Sequence, residues 1–286
     1  MAELVGSPVN LELPDVANTA LVTLHCRAHE SVSEQAILRD ERAEKIVAVL
    51  KPHLSDSQLE LHNSLARGEI EQAMQTYVAL RSRHFDRLAA GFLECEPEGL
   101  VVNLGGGLDT RRWRLNSERV VDLDLPEMIA LRRELLGEGS IAADVMDFSW
   151  MDEVAEARPK RVLILAEGLF MYLQPDQVRG LVRELARRFQ GTELVAEVFN
   201  RFWLEAGRRA QIDAHLAGAL RFGADAKFVS GLSDAHEMES WMEGIRFLGD
   251  WSFLDENEPK LGRLRKLRHF PRFRTRQWVV HYRLGN

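Results

Sequence analysis

The sequence has only two cysteines, Cys26 and Cys95, so it has no disulfide framework, and no pair of them sits at the spacing of a metal site. It has no excess of basic residues. The formal net charge is −7, which argues against nucleic acid as the main partner, because neutralising phosphates needs a basic surface. No stretch approaches the roughly 20 consecutive apolar residues of a membrane helix, so no membrane partner is expected. The amino-terminal MAELVGSPVNLELPD is acidic and has no basic segment ahead of an apolar run, so no signal peptide is expected. Internal repeats and low-complexity tracts are also missing. These absences leave a cytoplasmic, reducing setting as the expectation, with 45% hydrophobic and 28% charged residues, an ordinary globular composition.

What is present divides near residue 95. Before it, ILRDERAEKIVAVL and IEQAMQTYVALRSRHFDRLAAGFL place apolar residues at three- and four-residue spacing, which predicts helices. After it come the short apolar runs GLVVNL, RVVDLDL, RVLILAEG and ELVAEVF, the pattern of strands buried on both faces. Helical stretches separate them. PEMIALRRELLG opens on a proline and ends at Gly137, and PDQVRGLVRELARRFQG repeats that grammar with a stripe of Val178, Leu181, Val182, Leu185 and Phe189. TRQWVVHYRL alternates as a last strand. The prediction is a helical cap over 1–95 followed by a doubly wound α/β core over 96–286.

The run VVNLGGGLDTRRWRL carries the first chemistry. In such a sheet, ligands bind beyond the carboxyl ends of the strands. Gly105 and Gly107 end the first predicted strand, where a backbone without Cβ can pass close to a ligand. Asp124 ends the second, 19 residues beyond Gly105, and an acid there commonly grips a ribose hydroxyl pair. A dinucleotide and S-adenosylmethionine both use this layout. Asp109, beside the expected helix start, would repel a pyrophosphate and suits a sulfonium cation, so the residues favour S-adenosylmethionine. A dinucleotide oxidoreductase and a non-catalytic binder of the cofactor are the competing classes.

Six ordered segments extend this reading: NTALVTLHCRAHES, LRSRHFDRLAAGFL, VVNLGGGLDTRRWRL, VDLDLPEMIALRRELL, AADVMDFSW and LILAEGLFMYLQPDQV, from about residue 18 to 180. Together they resemble the leucine carboxyl methyltransferase family, in its bacterial branch similar to polyketide O-methyltransferases of the tetracenomycin type. The resemblance implies a class I, Rossmann-like methyltransferase fold, with a seven-stranded sheet whose last strand is antiparallel, and S-adenosyl-L-methionine as cofactor. It implies that Arg81 and Arg27 face the cofactor's methionine carboxylate, with Arg83 close enough to be confused with Arg81. Gly105 and Gly107 would face the cofactor and Asp124 its ribose, with Asp122 a structural neighbour. Asp144 and Val145 would meet the adenine, although a loop or capping acid looks the same at Asp144. Glu167 matches the family acid near the methionine part, and an acid ending a fully apolar strand needs a partner to offset desolvation. The family turn usually reads G-A-G. The extra glycine here, Gly106, removes only a methyl and is expected to loosen the loop without harm.

The acceptor is less legible. A carboxylate needs no proton removed, whereas a phenol needs a base. Tyr172, His215 and His236 are the candidates for that base or for orienting the acceptor. Residues 200–250 are expected to form an insertion covering a small-molecule acceptor, with Phe199, Phe202, Trp203, Phe222, Phe228 and Trp241 available to a flat substrate. Lys260 to Arg276 carries no acid while residues 234–258 are acidic, so either the halves neutralise each other or a basic rim awaits an anionic acceptor. The resemblance implies an O-methyltransferase acting on a carboxylate or hydroxyl of a small molecule, with methylation of a protein C-terminal carboxylate as the alternative.

Overall fold

The computed structural model describes residues 11, 15–137, 140–218 and 227–285. Four helices come first: α1 Asp15–Ser31, α2 Glu41–Ser55, α3 Glu60–Ala66 and α4 Gln72–Cys95. Asp40 caps α2, accepting from the Ala43 amide at 3.0 Å. The alternating part runs β1 Gly99–Leu104, α5 Arg111–Arg114, β2 Val120–Asp124, α6 Pro126–Leu136, β3 Ser140–Ala142, α7 Trp150–Glu156, β4 Arg161–Ala166, α8 Pro175–Arg188 and β5 Thr192–Phe199. It closes with α9 Arg209–Gly218, β6 Arg246–Trp251, α10 Pro271–Arg274 and β7 Gln277–Leu284.

The strands form one seven-stranded sheet in the order β3-β2-β1-β4-β5-β7-β6. β7 runs antiparallel to both of its neighbours, and the five strands from β3 to β5 are parallel. The sheet is covered on both faces because successive strand residues point to opposite sides. Val102, Ile164 and Leu194 pack with Trp150, Leu181 and Leu185 on one face. Val101, Leu163 and Val195 pack with Phe85 and Ala89 of α4 on the other. Of the predicted stripe, Val178, Leu181, Val182 and Leu185 are buried on α8, while Phe189 lies just past its end and is half-buried; each fully buried leucine contributes about 1.5–3 kcal/mol.

The expected division at residue 95 is a boundary in sequence more than in packing. α4 lies directly on the sheet, while α1, α2 and α3 share a cluster with Met128, Leu131 and Leu135 of α6. The stretch 200–250 expected as an insertion also needs correction, because its last residues, Arg246 to Trp251, form β6 inside the sheet order. β6 is an edge strand with alternating exposure and no apolar run, and β3 spans only three residues, so neither carried the buried-strand signature.

The winding direction reverses between β1 and β4. The crevice beyond their carboxyl ends is bounded by the turn after Leu104 on one side and by Glu167 and Gly168 on the other.

Candidate active site

Gly105 and Gly107 have φ of +63° and +50°, a region L-residues with a Cβ rarely enter. The turn is tied to the end of β2. The Gly107 amide donates to Asp124 Oδ2 at 2.7 Å, and the Leu125 amide donates to Oδ1 at 2.7 Å. Burial raises the Asp124 carboxyl above its ordinary range, and these two hydrogen bonds oppose that shift. Each oxygen keeps a second lone-pair direction for a further donor. Asp122 is the structural neighbour. It is buried, accepts from Asn103 Nδ2 at 2.8 Å and pairs with Arg132.

That placement overturns the expectation for Gly106. A Cβ there would stand 2.7 Å from Asp122 Oδ1 and 3.2 Å from Asn103 Nδ2. The third glycine is therefore a packing requirement of this chain, since Asp122 and Asn103 occupy the space a methyl would take. Gly106→Ala is expected to lower stability by about 1–3 kcal/mol, the usual cost of overpacking, measured as the urea midpoint. An unchanged or raised midpoint would show that Asp122 yields freely.

The DTRRWR run after the turn is a buried charge cluster. Arg111 is fully buried and donates to Asp86 (2.8 Å), Asp109 (2.5 Å) and Glu167 (2.6 Å). Arg114 reaches Asp86 at 2.7 Å, Asp40 at 3.0 Å and Asp109 at 3.1 Å. Burial favours the protonated form of Asp109, but Arg111 and Arg114 outweigh it and hold this carboxyl far below the usual range. α5 has only four residues, too short to offer a pyrophosphate the N-terminus of a full helix.

Arg81 sits between two acids. Its Nε donates to Glu167 Oε1 at 2.8 Å, and its Nη1 lies 3.0 and 2.9 Å from the two oxygens of Glu197. Nη2 has no partner among the described residues. The two acids are tuned apart. Glu167 is buried, yet Arg81 and Arg111 draw its carboxyl below the ordinary range. Glu197 is fully buried on β5, and burial pushes its carboxyl up to about 8, against hydrogen bonds from Gln277 and the Gly168 amide. The Tyr77 hydroxyl also donates to Glu197. Arg27 spends Nε on Asp40 at 3.0 Å and Nη2 on the Leu108 carbonyl at 2.7 Å, which ties α1 to the turn.

A cavity of about 370 Å³ opens beside these groups. Arg27, Arg81, Gly105, Gly107, Glu167 and Tyr172 line it, as do Thr19 and Ala20 of α1 and Tyr77 of α4. Its lining also has an apolar part, with Met171, Phe199 and Phe228 packed together and Phe253, Leu264 and Phe273 besides, and it includes Arg276 and Gln277 where β7 begins. Asp124, Asp144 and Val145 lie outside this lining, along the ends of β2 and β3. Asp144 is exposed and accepts from the Met146 amide at 2.8 Å, the geometry of a local capping acid. Val145 is buried, with its carbonyl taken by Trp150 Nε1 at 3.1 Å.

The candidate bases fare differently. His236 is on the surface, paired with Glu239 at 2.8 Å and packed against Phe247, and it is not part of the cavity. The expectation that it faces the acceptor is corrected by that position. His215 falls on α9, and its side chain lies outside the described residues, as does Phe222. Tyr172 does line the cavity, edge-on to Phe228, but burial raises its phenol above the ordinary value, which suits a hydrogen-bond donor and not a base. Of the other aromatic candidates, Phe199 and Phe228 reach the cavity, Trp241 packs in the core, and Phe202 lies under Arg208 and Arg272. Glu197 was missed in the sequence, although an acid inside the apolar run LVAEVF carries the same desolvation signal that singled out Glu167. Tyr77, Gln277 and Arg276 gave no such signal.

The sheet order, the antiparallel β7 and the glycine turn facing a strand-end acid define a class I methyltransferase that uses S-adenosylmethionine. The leucine carboxyl methyltransferase family profile matches residues 20–186, and the chain belongs to that family. The tetracenomycin polyketide synthesis O-methyltransferase TcmP of Streptomyces glaucescens is 28% identical over 252 residues, 86% of each chain. The S-adenosyl-L-methionine-dependent methyltransferase dpfgK of Gibberella zeae is 23% identical over 248 residues, 82% of this chain and 81% of its own. Among solved structures, a DUF574-family protein of Streptomyces avermitilis shares the fold. Its TM-score is 0.54 at 12% identity, covering 94% of this chain and 99% of that one.

Proposed function

We propose that the chain methylates an oxygen of a small molecule with a flat apolar body, and that a carboxylate is the accepting group. The observation that carries this reading is the mixed lining of the cavity. It joins Arg81, whose Nη2 has no partner among the described residues, Glu167 and the glycine turn to aromatic and aliphatic side chains. The residues suit the cofactor. Arg81, backed by Arg27, meets a free carboxylate with a guanidinium. Gly105 and Gly107 allow close backbone approach, and Asp124 offers acceptors to a ribose. Val145 keeps its N–H for an adenine ring nitrogen, with Asp144 at the exocyclic amine. When bound, S-adenosylmethionine supplies a methyl group on a cationic sulfur.

The protein's own contribution is alignment and exclusion of water from the nucleophile. Helices α1 and α4 supply the wall over the turn, and α9 with the segment before α10 lines the apolar part. Of the candidate bases whose side chains are described, neither His236 nor Tyr172 is placed or tuned to remove a proton, and a carboxylate acceptor needs none removed.

Asp124→Ala is expected to weaken S-adenosylhomocysteine binding by about 1–3 kcal/mol by calorimetry, the value of hydrogen bonds to a charged group. Unchanged affinity would move the ribose contact elsewhere. For the reaction, labelled methyl transfer into a small-molecule extract is expected to give product that mild alkali cleaves, as an ester does. Alkali-stable label would instead identify a hydroxyl acceptor.

A further inference from the structure

In the basic stretch before β7, two cations are held by acids and another lines the cavity. Arg274 is held by Asp250 at 2.9 Å and Asp255 at 2.8 Å. Lys260 pairs with Glu30, and Arg83 reaches across to Glu256 at 3.0 Å. Neutralisation within the stretch is therefore partial, since Arg263, Arg265, Lys266, Arg268 and Arg272 make no ion pair with an acid among the described residues. Arg276 differs from them in position. It lines the cavity, is half-buried, and has no carboxylate partner among the described residues. Its nearest aromatic neighbour is Trp203, with the guanidinium carbon 5.6 Å from the ring centroid. Burial draws its pKa below the ordinary arginine value, with no acid offsetting it.

The backbone around Arg276 is fixed. Its amide donates to the Phe273 carbonyl at 3.2 Å, and its carbonyl accepts from the Asn200 amide at 2.9 Å. Two of the acids lining the cavity are spoken for: Asp109 by Arg111 and Arg114, and Glu167 by Arg81 and Arg111. The third, Glu71, is exposed and makes no pair with Arg276. A partly desolvated guanidinium without a counter-ion is costly, and it cannot escape by losing its proton. The apolar side chains that share the cavity lining with it, Phe199, Phe228, Phe253, Leu264 and Phe273, suit a flat ring system. A planar guanidinium facing that pocket matches a carboxylate by two parallel hydrogen bonds.

We propose that Arg276 is the specificity residue of the acceptor site: it pairs with a carboxylate carried on a flat apolar acceptor, so that aromatic acids bind and their neutral counterparts are refused. This rests on the reading that the apolar part of the cavity receives the acceptor.

The test is calorimetry on the full chain saturated with S-adenosylhomocysteine. The probes are benzoate, naphthalene-2-carboxylate and anthracene-2-carboxylate, each paired with its carboxamide of the same shape. At least one acid is expected to bind tenfold or more tightly than its amide. Arg276→Gln is expected to abolish that preference, and Arg276→Lys to retain part of it. Both variants are expected to bind S-adenosylhomocysteine within twofold of the unaltered chain. The proposal is overturned if no acid binds, if no acid is favoured over its amide, if the preference survives Arg276→Gln, or if Gln and Lys behave alike. Failure of the unaltered chain to bind S-adenosylhomocysteine overturns the methyltransferase site and this proposal with it. Binding of that compound without any acid preference overturns the Arg276 assignment alone.

Discussion

Asp109→Ala is expected to lower stability by about 3–5 kcal/mol, the range for removing one member of a buried ion pair. Asp109 accepts from the Thr110 amide at 2.7 Å and the Arg111 amide at 3.1 Å, and it pairs with Arg111 and Arg114. Its loss strands two guanidiniums that cannot discharge by deprotonation at any accessible pH. Asp86, Asp40 and Glu167 would hold them in place but leave the donors that faced Asp109 without acceptors. Since the folded pKa of Asp109 is depressed, its contribution is complete above about pH 4 and is lost as pH falls below that. The gap between the two proteins in urea midpoint should therefore narrow in acid. A loss under about 1 kcal/mol at pH 7 would mean that Asp109 is only weakly coupled to the cluster.

Arg81→Met is expected to reverse the balance, with a smaller loss of stability and a larger loss of cofactor binding. The stranded groups here are carboxyls, and a carboxyl can take up a proton. Glu167 keeps Arg111 and Ser82, and Glu197 keeps Gln277 and Tyr77. Glu197 already titrates near 8, so its neutral form is available at pH 7. A raised folded pKa means stability is lost as pH rises from the unfolded value toward 8, and the variant should lose it more steeply. Adding Glu197→Gln should recover stability and flatten that slope. It should not recover affinity for S-adenosylhomocysteine, which is expected to fall at least about a hundredfold, or roughly 3 kcal/mol, through loss of the methionine carboxylate's partner. If the double variant regains affinity, the carboxylate contact belongs to another residue. Adenosine, which lacks that carboxylate, should be affected far less by Arg81→Met.

The residues that could be read from sequence and those that could not differ in physical character. β1, β2, β4 and β5 are buried on both faces and rich in Val, Ile and Leu, and α6 and α8 open on prolines, so local composition marked them. β6 pairs on one side only and β3 has three residues, so their existence depends on partners that composition does not name. Sequence placed Gly105 and Gly107 in the turn after β1 and Asp124 at the end of β2, because backbone conformation and strand position restrict which residues fit. Arg27 and Arg81 needed the family resemblance, since an arginine on a helix is ordinary until its surroundings are known. Gly106 was misread because the obstacle to a methyl, Asp122, comes from a different strand. Arg276 was hidden among cations of similar spacing, and only its place in the cavity lining sets it apart.

The place of β7 has a consequence for how the molecule is made. β7 is threaded between β5 and β6, which both precede it in the chain. Until it arrives, β6 has no hydrogen-bonded neighbour in the sheet and Glu197 lacks Gln277. A nascent chain stalled short of Gln277 would already carry the other residues that line the cavity, yet β6 would be unpaired and the wall behind Glu197 unfinished, so the cavity is completed when β7 docks and not gradually along the chain.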